Sequence, residues 1–222
     1  MSNLAIIPAR GGSKRIPRKN IKEFLGKPII AYSIEAALKS DLFDEVMVST
    51  DDEEIAEIAI KYGAKVPFMR SEENSDDYAP LADVVEEVLS YYKDQFNYAC
   101  CILSTSPLIE IKYLKEALNR LKSQDFDSLR PVVKFSYPIQ RAMKVSENGN
   151  VDWFYPEFMK SRSQDLEEAY HDAGQFYWMK FNKGLKSNKR GALVIPQEYV
   201  QDIDTEEDWE IAEMKFNLKM KK

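Results

Sequence analysis

The sequence predicts an α/β protein: a three-layer α/β/α sandwich on a mostly parallel, Rossmann-like sheet, with a projecting β-hairpin arm. Three observations predict it. A short apolar run near the N-terminus, Leu4 to Ile7, stops at Pro8 and is followed at once by Gly11-Gly12. From there to about residue 121, strand-like apolar runs alternate with stretches of helical period, the pattern of parallel βαβ units. From Asp127 onward the rhythm changes to short β-type runs around a turn signal. A length of 222 residues with 44% hydrophobic and 31% charged residues fits one domain, residues 1–222, with a substantial core.

The elements follow in order. Ile29 to Ser40 has an alanine-rich interior and a charged end, so it reads as a helix. Asp44 to Thr50 is a second strand, closed by Asp51-Asp52. Ile55, Ile58, Ala59 and Tyr62 fall on one helical stripe, capped by Gly63. Val66-Pro67-Phe68 begins a short third strand. A polar loop from Arg70 to Tyr78 leads into a helix with the stripe Val84, Val85, Val88, Leu89 and Tyr92. Tyr98 to Leu103 is a continuous apolar strand, and Leu114 to Leu121 is helical. The runs Leu129 to Phe135, Ala142 to Val145 and Val151 to Tyr155 flank Asn148-Gly149, a hairpin leaving the main sheet at roughly 130–160. Gly174 to Phe181 and Ala192 to Ile195 are the last strands. Thr205 opens a C-terminal helix, with Asp208 three residues on as in a capping box.

Composition removes several classes of function. The formal charge is −6, and the one basic cluster is short, which argues against nucleic acid as a partner. No apolar run is long enough for a membrane helix, and no signal peptide is apparent. The two cysteines, Cys100 and Cys101, are adjacent; on a strand they face opposite ways and read as buried thiols rather than a disulfide. The expected setting is the cytoplasm.

The informative stretch is the first loop. Between Arg10 and Lys22 stand six cations (Arg10, Lys14, Arg15, Arg18, Lys19, Lys22) and no acid. Glycines let backbone N–H groups approach an anion, and the cations neutralise it, which suits a nucleotide triphosphate. A solvated basic loop has the same composition. The spacing is neither that of a P-loop nor of GxGxxG. Near the other end, Asp202 and Asp204 lie at i and i+2, on one face of an extended segment, where both can reach one divalent cation.

The string IPARGGSK followed by IPRKN resembles the CMP-sugar synthetases, cytidylyltransferases that activate eight- and nine-carbon keto-acid sugars. DIDT with a later acid resembles that family's metal motif. The combination FSYPIQRA and RSQDLE…AYHDAGQFYW is similar to the pseudaminic acid cytidylyltransferases of bacteria. That resemblance implies transfer of CMP from CTP to pseudaminic acid, with release of pyrophosphate, for glycosylating flagellin or other surface structures. It implies Mg²⁺ on Asp202 and Asp204, catalysis by Arg10, Lys19 and Asp204, and nucleotide contacts from Ala9, Arg10, Gly11, Gly12, Ser13, Lys14, Lys19 and Asn20. It also places the base against Arg70 and Asp77, with Asp76 an equal chemical candidate.

On the sugar side it points to Leu103, Arg162, Gln164, Tyr170, His171, Gln175 and Tyr177. Leu103 stands where the sialic-acid enzymes carry Gln, and Arg162 could pair a sugar carboxylate. His171 is the chain's lone histidine, and a structural role is the plainer alternative. The family dimerises through an arm at this place, and Tyr137, Trp153, Phe154, Tyr155 and Phe158 would leave an arm here apolar. A homodimer is therefore expected. The rival readings are the same reaction on sialic or legionaminic acid, a GT-A-like glycosyltransferase, and a non-catalytic nucleotide-binding module.

Overall fold

The computed structural model describes residues 2–221 and is built on β1, Asn3–Pro8. Leu4, Ala5, Ile6 and Ile7 are all fully buried, because this strand has sheet neighbours on both edges and helices on both faces. The period of two divides them. Ala5 and Ile7 join one core cluster with Ile30 and Ile34, whereas Leu4 and Ile6 join another with Val85 and Val88. A run of small and branched apolar residues without alternation is what such a position requires.

After β1 come the two-residue strands β2 (Glu23–Phe24) and β3 (Lys27–Pro28), then α1 (Ile29–Lys39), β4 (Glu45–Ser49) and α2 (Glu53–Lys61). Next are α3 (Leu81–Tyr92), β5 (Tyr98–Ile102), α4 (Ile111–Ser123) and β6 (Ser128–Lys134). The arm carries β7 (Met143–Val145) and β8 (Val151–Trp153); β9 (Tyr170–Asp172), β10 (Phe176–Lys180), β11 (Arg190–Val194) and α5 (Glu206–Met220) complete the order. The main sheet runs β11-β6-β10-β5-β1-β4, with β9 pairing the far half of β6. β1 is parallel to β4 and β5, and β6 to β11, while β10 is antiparallel to both β5 and β6. The sheet is mixed, with helices on both sides.

Residues of α1, α2 and α4 pack on one face. On the other, the apolar cluster beneath α3 draws on β4, β1, β5 and β10 but on no residue of β6 or β11. That half of the face stays open: Arg130 and Val132 are half-buried and Val194 is exposed. A third cluster (Ile16, Phe24, Ile29, Ile203, Trp209, Ala212) binds α5 to the basic loop, and Phe24 meets the Trp209 ring edge-on at 5.5 Å.

Two expectations are corrected. Val66 to Phe68 is not a strand: Lys65 makes a single bridge to Met47, and Pro67, lacking an N–H, cannot extend it. The segment 170–172, which the sequence leaves outside the strand read from Gly174, is itself β9, antiparallel to the end of β6. The hairpin excursion is present as β7 and β8, a separate two-stranded sheet whose turn passes through Gly149 at φ 79°. Thr205 and Asp208 form the reciprocal capping box of α5, with Asp208 Oδ2 accepting from Thr205 N at 2.9 Å.

Cys100 and Cys101 fall in different core clusters, one on each face of β5, and neither forms a disulfide. Burial pushes the Cys101 thiol up to about 12 and Cys100 well above its ordinary value. Native protein should therefore give no fast reaction with a thiol-specific chromogenic disulfide, and both thiols should titrate in denaturant. Rapid modification of the folded chain would contradict this burial.

Candidate active site

The polypeptide leaves β1 at Pro8, and Ala9 N still donates to Ser49 O at 2.9 Å, so the loop starts from a fixed point beside β4. Asn20 fixes it from the other side. Its buried side chain donates to Arg10 O at 2.8 Å and accepts from Ser104 Oγ at 2.8 Å, tying the loop to the end of β5. Gly11 N donates to Asp51 Oδ1 at 3.0 Å, and a Cβ on Gly11 would stand 2.6 Å from Asp52 Oδ2. A side chain at this position would have to push the Asp52 carboxylate aside.

Every cation of the loop has an acidic partner from elsewhere in the chain. Arg10 and Lys14 both meet Asp77, the former at 2.8 Å. Arg15 and Lys19 converge on Asp204 at 2.7 and 3.5 Å, and Lys19 also donates to Ile203 O at 2.6 Å. Arg18 forks onto Asp52 and Glu54, and Lys22 meets Glu206. The Arg18 hydrogen bond holds the Asp52 carboxyl below its ordinary range. Lys14, with help from Arg10, does the same to Asp77.

Arg10, Lys14, Arg15, Lys19 and Asp77 line a cleft of about 520 Å³ at the C-terminal end of the parallel strands. Arg10, Ser13, Lys14, Lys19 and Asn20 form one wall, Arg70, Asp76 and Asp77 another, and Leu103 with Ser104 the floor. Arg70 is buried, donates to Ser49 Oγ at 3.0 Å, and burial lowers its pKa from the ordinary value. Both aspartates of the 70–78 loop reach Arg10, Asp77 through its carboxylate and Asp76 through its carbonyl at 2.9 Å, so the two candidates stand together.

Asp202 and Asp204 flank buried Ile203, and a Cβ built on Gly174 would lie 4.0 Å from Asp202 Cγ. Burial, and then the neighbouring Asp204 charge, raises the Asp202 carboxyl. Two hard carboxylates, one destabilised by the other, are a donor set that suits a hard divalent cation. Among the described residues no three His, Cys, Asp or Glu side chains cluster as a metal cage, so a cation here would draw on this pair, on phosphate oxygens and on water. Asp208 is taken up by the cap of α5.

The sugar-side residues divide. Leu103 lines the cleft, and its N–H donates to Gln175 O at 2.8 Å. Gln175 is buried and its amide is spent on Tyr199 O. Tyr177 packs with Leu103 on the α3 face of the sheet. His171 pairs with Val133, whose side chain belongs to the opposite face, and its ring meets Phe135 at 5.0 Å. Tyr170 alternates back and bonds Glu168 at 2.7 Å. Arg162, paired with Asp165 at 2.7 Å, and Gln164 are exposed and lie outside the cleft lining of their own chain. Sequence reasoning missed Arg130 and Asp172, which join Tyr177 beside Leu103. The signal available was a lone Arg in the apolar run of β6.

A family model described as cytidylyltransferase matches residues 4–205, nearly the whole chain. The chain belongs to the cytidylyltransferase family. Relatives include the pseudaminic acid cytidylyltransferase of Campylobacter jejuni, 47% identical over 98% of this chain and 97% of that one. N-acylneuraminate cytidylyltransferase A of Danio rerio is 36% identical over 95% of this chain and 50% of its own. CMP-N,N'-diacetyllegionaminic acid synthase of Legionella pneumophila is 32% identical over 98% and 97%. Among solved structures, a CMP:2-keto-3-deoxy-manno-octonic acid synthetase complexed with CTP shares the fold at a TM-score of 0.73 and 17% identity, covering 99% of this chain and all of its own. This cytidylyltransferase is thus a CTP-dependent nucleotidyltransferase, which removes the glycosyltransferase and binding-module readings.

The Gly11 contact makes a direct test. In Gly11→Ala the added methyl must displace Asp52, which also caps α2 by accepting from Ile55 N at 3.0 Å. CTP affinity by calorimetry should fall roughly tenfold or more, about 1.4 kcal/mol, while the unfolding midpoint drops by only a few degrees. Unchanged affinity would mean that the loop does not hold the nucleotide.

Proposed function

We propose that this cytidylyltransferase transfers CMP from CTP to the anomeric hydroxyl of pseudaminic acid, releasing pyrophosphate. The observation that carries the substrate is the 47% identity to the Campylobacter jejuni enzyme over both full lengths. The cleft supports the reaction. Arg10, Lys14 and Lys19 ring the space where a triphosphate would lie and can move from Asp77 and Asp204 onto phosphate oxygens. Ser13 continues that wall, with Ala9, Gly11 and Gly12 in the backbone that leads to it, while Arg70, with Asp76 or Asp77, closes the nucleoside end. Leu103 and Tyr177 then floor the sugar side.

The hydroxyl oxygen forms a bond to the α-phosphorus in line with the α–β bridging oxygen, which leaves with pyrophosphate. Arg10 and Lys19 stabilise charge on the phosphate oxygens as that bond breaks. Asp202 and Asp204 would hold Mg²⁺, which when bound supplies charge neutralisation at the phosphates. The hydroxyl proton leaves to this acid pair or to water.

We further infer a homodimer formed through the arm. Tyr137 is 84% exposed, and Met143, Val145, Val151 and Phe154 are each more than half exposed on a hairpin with no core of its own. Arg162 and Gln164 lie at the base of this arm, so in a dimer they would serve the partner's sugar pocket, with Tyr170 and His171 nearer the sheet.

Pyrophosphate release with CTP and Mg²⁺ should occur with pseudaminic acid and fall by orders of magnitude with sialic or legionaminic acid. A preference for either of those would keep the class and change the substrate. Lys19→Ala and Asp204→Asn should each lower kcat by about a hundredfold, and chelation should abolish release until Mg²⁺ is restored; full activity in chelator would sink the metal assignment. Light scattering should give about twice the 25.7 kDa chain mass, and serine at Phe154 and Tyr155 should shift it toward one chain. A monomeric native mass at micromolar concentration would overturn the dimer.

A further inference from the structure

On the open half of the sheet face, three side chains from three strands form one network. Arg130 of β6 pairs with Asp172 of β9 at 3.1 Å, and its guanidinium lies 5.1 Å from the centre of the Tyr177 ring on β10. The Tyr177 hydroxyl donates to Asp172 Oδ1 at 3.1 Å, and Gly174 N donates to the same oxygen at 2.8 Å. The two charged side chains remain about one-third exposed, at 32% and 36%.

The network borders the reaction site on two sides. Tyr177 is in register with Cys101, two residues from Leu103, and shares that residue's face. Asp172 is joined through Ala173 to Gly174, which abuts Asp202. A partly exposed ion pair of this kind adds little to stability, and the neighbouring positions Val132, Ala192 and Val194 are apolar. Folding alone gives no reason for a guanidinium here. Its orientation is nevertheless fixed from two directions, by the Asp172 carboxylate and by the Tyr177 face.

We infer that Arg130, held by Asp172 and stacked on Tyr177, is a substrate-recognition residue that donates to an uncharged acceptor oxygen of the sugar acid, an N-acyl carbonyl. The inference rests on the sugar-acid reading above. Of the five N–H donors of a guanidinium, the pair with Asp172 engages Nη1, leaving others of the fork for a ligand. Asp172 already balances the charge, so a ligand carboxylate would meet a like charge 3.1 Å behind the guanidinium, whereas an amide oxygen meets only a donor. A site that holds a polar group for one substrate oxygen rejects sugars lacking it, since Arg130 is then left without that acceptor.

The test is steady-state kinetics of the intact enzyme with CTP and pseudaminic acid. Arg130→Ala should raise the sugar KM at least tenfold while the CTP KM stays within twofold. Asp172→Asn should raise the sugar KM in the same direction by releasing the guanidinium. With the de-N-acylated form of the same sugar, wild type and Arg130→Ala should become equal, because the acceptor is gone. An unchanged sugar KM in Arg130→Ala overturns the proposal. So does an equal rise in both KM values with a lowered unfolding midpoint, which marks a structural role. Should Arg130→Ala fail to fold, Arg130→Lys keeps the charge, loses the fork and is judged by the same two KM values. Wild type silent toward every sugar acid would fell the functional reading itself; turnover by wild type with an indifferent Arg130 fells this inference alone.

Discussion

Six cations within one loop repel one another, and acids brought from three distant segments offset this repulsion. Asp52 and Glu54 come from the start of α2, Asp77 from the loop before α3, and Asp204 and Glu206 from the approach to α5. No two of these segments are neighbours in sequence. Each must come to the loop, and the segment that carries Asp77 forms a wall of the cleft as it does so. Singly, such half-exposed pairs contribute little. Their collective effect is positional, because the loop cannot be basic at the end of β1 unless three distant segments surround it.

Strand β10 does the corresponding work on the other side. Entering antiparallel between β5 and β6, it starts at the end where the parallel strands finish. The link from Asp172 to Gln175 is thereby carried to the tip of β5, where Gln175 O receives Leu103 N and Gly174 stands against Asp202. A fully parallel sheet would have placed that link at the opposite end. The reversal of β9 and β10 against β6 is what brings their link beside the acid pair at the end of β5. It also leaves half of one sheet face without a helix, since the connection is too short to hold one.

What was legible in the sequence follows from local physics. β1, β4 and β5 carry long apolar runs because both faces are buried, and α2 and α3 carry stripes because one face is. The capping box of Thr205 and Asp208 is likewise written in four residues. The basic loop was legible because its glycines and cations stand together in one short stretch. Less visible was whatever depends on distant pairing. Val66 to Phe68 has strand composition but only one bridge, at Lys65, and Pro67 to end it. Tyr170 to Asp172 has no apolar run, being held as a strand by β6 alone, so its alternation was hidden. That alternation separates His171 from Tyr170 and Asp172, and it explains why a stretch that looked like one site faces two ways. Arg130 could not be singled out because its partner lies 42 residues away.

The pairing of every loop cation also shapes how an anion can bind. The cleft offers no bare positive cradle; Arg10 and Lys14 already serve Asp77, while Arg15 and Lys19 serve Asp204. A phosphate entering it exchanges one set of charge-assisted contacts for another. The net gain is the difference between them and not their sum, so a cleft this rich in cations need not bind every anion tightly. An anion that reaches both pairs displaces two carboxylates at once, whereas one that reaches a single pair must still compete with its acid. The carboxylates released by that exchange include Asp204, the one member of the acid pair that the free protein keeps neutralised by Arg15 and Lys19. Selection for a long polyanion and exposure of the acid pair are therefore two results of one set of ion pairs.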